Sequence, residues 1–180
     1  METHQEILIH HYWLQNSDRL YYSANVLLEK LRSIQDLDPP FDELTEHQSN
    51  IRSLLEINFM LLGYSIENIL KGYSIFKYLQ TNEIPADADY DFLKKNVWKT
   101  KSGHQLISIG TNAGIIFSKE EIEILNKFQK YVTWGGRYHI PNTIKEIKEV
   151  VSPGISETFK VKDRQIAKAL LDRIKTIILE

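Results

Sequence analysis

The stretch from about Leu44 to Leu79, LTEHQSNIRSLLEINFMLLGYSIENILKGYSIFKYL, contains no proline and constrains the fold more than any other part of the chain. Leu55, Leu62, Ile66, Ile69, Tyr73 and Phe76 recur at helical spacing and form one apolar stripe. Met60, Leu61 and Tyr64 widen that stripe to nearly the whole circumference. A helix apolar on most sides must be covered on most sides, so the pattern predicts a central helix with other helices packed around it. Gly63 and Gly72 lie inside it. Each costs about 1 kcal/mol relative to alanine in a helix, so both point to close approach by a neighbour.

The remaining helices follow from stop signals and caps. Glycine and proline number 8 and 5, and their clusters divide the chain into helical stretches. A first helix is expected to begin at Asn16 or Ser17, either a good N-cap. Its apolar face is Leu20, Ala24, Leu27, Leu28 and Leu31, and Asp38-Pro39-Pro40 closes it. The long polar connection from Thr81 to Gly103 holds a short helix near Asp91 to Val97. Ser102 with Gln105, and Ser118 with Glu121, each fit the capping box. The first box opens a short helix at His104. The second opens one with Ile122, Leu125, Phe128 and Val132 inward. A last helix over Asp163 to Leu179 carries Ile166, Leu170, Ile174, Ile177 and Ile178. A short helix around Thr143 to Val150 and a brief extended pair near Ile155 and Phe159 to Val161 complete the reading. The expected fold is all-α: a single domain over 1–180, an up-and-down bundle of roughly four to six helices.

Composition limits function. The chain has 180 residues, 42% hydrophobic and 26% charged, with net charge −2. It lacks the basic excess of a duplex-binding protein. There is no cysteine, which excludes disulfides, thiolate metal sites and a thiol nucleophile. His4, His10 and His11 lack metal-ligand spacing, no glycine-rich phosphate loop occurs, and neither metal nor cofactor is expected. The N-terminus shows no basic segment leading into an apolar run, and no apolar run is long enough to span a bilayer. A cytoplasmic protein is the expectation.

Several residues carry potential chemistry. Glu67 and Lys71 stand at i and i+4 in the central helix, amid residues apolar on most sides. A solvated pair would be ordinary; a buried one is a poor stabiliser and invites a functional explanation. His104, in the first turn of its expected helix, would be held neutral by the dipole and could act as base or hydrogen-bond donor. In YVTWGGRYHIP (131–141), Gly135-Gly136 ends a helix and Arg137 sits on its carbonyl end. The same segment can also aim Trp134, Arg137, Tyr138 and His139 at a ligand. Finally, KKNVWKTKSGH (94–104) interleaves Lys94, Lys95, Lys99 and Lys101 with Trp98. It reads either as a grip on single-stranded nucleic acid or as a solvated loop with Trp98 folded back onto the bundle.

IENILKGYSIF, then GHQLISI after a loop, then a helix ending WGGRY, resembles the HEPN superfamily (higher eukaryotes and prokaryotes nucleotide-binding) over about residues 50–141. The resemblance implies a helical bundle, homodimerisation and an RNA or nucleotide ligand. It also implies a bacterial defence or toxin–antitoxin setting and, in many members, metal-independent ribonuclease activity. The Arg and polar residue that ribonuclease members place a few residues ahead of a His are absent; Arg137-Tyr138-His139 is too tight. The site expected on this basis has Glu67 orienting His104, Arg137 and Lys71 on phosphate, and Tyr138, Trp134, Lys99 and Lys101 on the ligand. The alternative is a helical interaction or dimerisation module without chemistry. Its polar residues would tie helices together, and Tyr21 and Tyr22 would offer a face to a partner protein.

Overall fold

The computed structural model describes residues 9–35, 44–135 and 161–180. Among them the secondary structure is entirely helical. The elements are α1 (His10–Gln35), α2 (Leu44–Leu79), α3 (Tyr90–Phe92), α4 (Leu106–Asn112), α5 (Lys119–Lys130) and α6 (Val161–Leu179). Two π-helical turns extend α3 and α5: Leu93–Val97 and Tyr131–Gly135. No helix among these residues is long and apolar enough to cross a membrane. The Pro39-Pro40 stop, the short helix near Thr143 to Val150, and Ile155 and Phe159 of the extended pair lie outside the described residues, while Val161, expected to be extended, opens α6.

The central helix is α2, as its circumference requires. From Leu62 to Ile75 only Tyr64 and Asn68 are more than marginally exposed. It is touched by α1, α4, α5, α6 and both π turns. Leu62, Ile66, Ile69, Leu70 and Ile75 are fully buried there. The two glycines explain the closeness. A Cβ on Gly72 would lie 2.9 Å from Leu14 Cδ1 and 3.1 Å from the His10 carbonyl oxygen, and one on Gly63 2.9 Å from Val132 Cγ1. The backbones of α1 and of the α5 extension therefore approach where alanine would not fit.

The start of α1 differs from expectation. The helix begins at His10, and Ser17 caps nothing. Instead Ser17 Oγ donates to the Ser65 carbonyl at 2.8 Å, and Ser65 Oγ to the Ser17 carbonyl at 2.9 Å. Each hydroxyl gains an acceptor across the α1–α2 seam, so a serine that locally favours a helix start is used as buried glue. The extra turns bring Trp13 and Leu14 into the core. Two core assignments also shift. Ile122 and Ile177 are each 39% exposed, while Ile124 and Ala167 are buried. A stripe of three- and four-spaced residues fixes the direction of a helical face only to within about one position.

The capping boxes part company. Ser118 caps α5 as expected: its hydroxyl accepts from Glu121 N–H, and the Glu121 carboxylate accepts from Ser118 N–H. At the other box, Gln105 Oε1 accepts from Ser102 N–H at 3.2 Å, but α4 starts only at Leu106. His104 thus precedes the helix, and the dipole argument for its neutrality does not apply.

Candidate functional site

Glu67 and Lys71 occupy successive turns of α2 at its most enclosed level. Their side chains are 5% and 3% exposed, so the pair is buried. Lys71 Nζ donates to Glu67 Oε1 at 2.7 Å and to the Tyr90 hydroxyl at 3.1 Å. Three rings surround the ammonium: Trp98 with its centroid at 4.7 Å, Trp13 at 5.3 Å and Tyr90 at 5.3 Å. They pack on one another edge to face, Trp13–Trp98 at 5.4 Å and Tyr90–Trp98 at 5.0 Å. Each aromatic face attracts the cation through its quadrupole, and more strongly once water is excluded. Lys71 is therefore neutralised by one carboxylate and solvated by rings in place of water.

The other carboxylate oxygen faces His104, whose Nδ1 lies 2.9 Å from Glu67 Oε2. Burial pushes the Glu67 carboxyl up, but the His104 hydrogen bond and the charge and hydrogen bond of Lys71 outweigh it, and the group is held below the ordinary glutamate range. An ionised carboxylate only accepts, so Nδ1 carries the proton and donates it. That leaves Nε2 as the nitrogen able to accept. The ring is 26% exposed, and Nε2 has no hydrogen-bond partner among the described residues. A carboxylate behind an imidazole, with the far nitrogen open, is the usual arrangement for proton transfer. Gly103 makes it reachable: its φ is +75°, and a Cβ there would stand 2.8 Å from the Tyr90 hydroxyl oxygen. Only glycine lets the chain cross Tyr90 and deliver His104 to Glu67.

Because the folded carboxyl is depressed, Glu67 contributes stability that is fully present above its unfolded value and is lost as pH falls through the folded one. Acidification below about pH 4.3, the ordinary glutamate value, should therefore lower the thermal midpoint of the native chain more than that of Glu67→Gln. Parallel losses in both would show that this carboxylate is not ionised behind the cage.

The other expected residues are distributed as follows. Lys99 and Lys101 are exposed, on the segment leading to His104. Lys94 pairs with Asp91 at 2.6 Å. Trp98 is completely buried over Lys71, so it offers no face for a base, and the reading of 94–104 as a stacking grip is corrected in favour of a loop folded back onto the bundle. Lys71 is likewise closed off from solvent and cannot hold a phosphate as expected. Arg137, Tyr138 and His139, and the side chain of Trp134, lie outside the described residues. Two contributors went unread. Trp13 sits ahead of the expected start of α1, and Tyr90 in a polar connection; neither carries a local signal of its role. No cluster of three or more His, Cys, Asp or Glu side chains that could hold a metal occurs among the described residues.

No protein-family model, no curated protein and no solved structure matches the chain.

Proposed function

We propose that the chain is a HEPN-like protein that binds RNA or a nucleotide, with His104 as its proton-transfer group. The observation that supports this is the open Nε2 of an imidazole whose Nδ1 is anchored 2.9 Å from a buried, ionised Glu67. Lys99 and Lys101, exposed on the segment that carries His104, supply cations for a phosphate backbone. Arg137 and Tyr138 complete the proposal as phosphate and stacking groups.

Size-exclusion with oligo-RNA at low and moderate salt tests binding. Retention that weakens as salt rises is expected. Cleavage of the same RNA should fall by roughly 10²–10⁴ in His104→Ala; cleavage equal to that of the native chain would remove His104 from the chemistry.

The enclosure of Lys71 favours a second reading. A Glu–Lys–His network satisfied on both carboxylate oxygens also ties α1, α2, α3 and the His104 segment together without chemistry. The chain would then be an interaction or homodimer module, with Tyr22, 70% exposed on α1, on its partner face. A stable dimer blind to RNA in the same chromatography would favour it.

A further inference from the structure

The end of the π turn breaks a rule of helix termination. Thr100 N–H bonds back to the Lys94 carbonyl at 3.1 Å, and Lys99 before it has a φ of +52°. This is the closure in which the penultimate residue turns left-handed, a position that glycine usually fills because it has no Cβ. Here it is a lysine, held in place by Asn112. The Asn112 amide donates to the Trp98 carbonyl at 2.9 Å and to the Lys99 carbonyl at 3.2 Å. A strained backbone maintained by a dedicated clamp points to a use for the side chain.

That use is on the same surface. Lys99 lines a cavity of about 170 Å³ together with Ser74, Lys77, Tyr78 and Asn112. Ser74 and Tyr78 continue the face of α2 that carries Lys71, about one and two turns further on, with Lys77 beside them. Two lysine side chains from separate elements therefore line one hollow, and among the described residues no carboxylate lines it. Lys77 donates to Gln80 at 2.6 Å, and neither lysine has a carboxylate partner among the described residues. Two cationic side chains with no carboxylate opposite them give the hollow a positive potential. An anion is drawn to it.

We propose that this cavity binds a phosphate monoester. Its volume of about 170 Å³ is ample for a phosphoryl group. A monoester carries roughly −1.5 to −2 charge at neutral pH, which two lysines balance. Lysines approaching from different elements act as point charges toward a tetrahedral anion. Tyr78, which also lines the hollow, carries a hydroxyl able to donate. The inference shares Lys99 with the proposed RNA contact but does not rest on proton transfer at His104, because titration with phosphate and 5′-AMP needs no turnover.

Isothermal titration of the full chain at low ionic strength, with inorganic phosphate, 5′-AMP and adenosine as probes, tests it. Saturable binding of the first two and none of adenosine is expected. Affinity should fall at least ten-fold in Lys99→Gly and in Lys77→Gln. Lys99→Gly retains the left-handed backbone and should raise the thermal midpoint, which separates loss of the ammonium from loss of fold. A short RNA with and without a 5′-phosphate then identifies the source. A preference for the phosphorylated end that vanishes in both variants assigns a strand terminus; equal binding of the two RNAs, with 5′-AMP binding intact, assigns a small phosphoester. Failure of both phosphate and 5′-AMP to saturate, or variants that bind as tightly as the native chain, would overturn the proposal, as would acetate binding as well as phosphate.

Discussion

Glu67→Ala should destabilise the chain by about 3–5 kcal/mol, the cost of breaking a buried ion pair from one side. The loss is large because of what remains. The Lys71 ammonium, 3% exposed, would keep only the Tyr90 hydroxyl and the three ring faces. Cation–π contacts contribute about 0.5–2 kcal/mol each, too little to replace a carboxylate and lost water together. His104 would lose its acceptor as well. Removing both charges is different: Glu67→Gln with Lys71→Met leaves no bare ion, and its loss should be well below that of Glu67→Ala. Urea denaturation of the three variants measures this. A single-variant loss under 1 kcal/mol, or a double variant as poor as the single, would mean that water reaches the pair.

Trp98→Ala should cost a similar amount, about 3–5 kcal/mol, because it empties a fully buried indole from the core. Two terms add. One is transfer and cavity energy at the junction of α1, α2 and the π turn. The other is the closest ring over Lys71, at 4.7 Å. Trp98→Phe separates them, since it retains a ring in place. The indole N–H has no hydrogen-bond partner among the described residues, so phenylalanine discards a donor that gains nothing from burial. The phenylalanine variant should therefore recover most of the loss in chemical denaturation. A small effect of alanine would show that the 94–104 segment is not packed on the bundle.

The legible part of the molecule was the part set within a few residues. The bounds of α2 follow from an unbroken apolar helical pattern, and its glycines from their helix penalty. The Ser118 cap follows from its box. The Glu67–Lys71 pair was visible as charges set into an apolar circumference, although burial itself was open. Errors arose where a local preference met a distant partner. Ser17 has the chemistry of a cap, but Ser65 offered it a buried acceptor. Ser102 and Gln105 satisfy one another ahead of the helix and do not start it.

In the sequence Lys99 is one of four loop lysines, set toward a ligand or toward solvent, and nothing marks its backbone, because a left-handed lysine leaves no trace in sequence; glycine is the residue that announces that conformation. Relieving it with Lys99→Gly should stabilise the chain by about 1 kcal/mol.

The sequence by itself determined the helical partition, the central place of α2 and the presence of a charged pair on it. Those depend on i, i+4 periodicity and on caps that need no other segment. Only the tertiary structure decided that Trp13, Tyr90 and Trp98 close over Lys71, that His104 meets Glu67 and that Lys77 and Lys99 share a hollow. Each of those contacts joins residues from separate elements. Their geometry is fixed by how close two helices can pack at Gly72 and where the chain can turn at Gly103, and no local pattern encodes such distances.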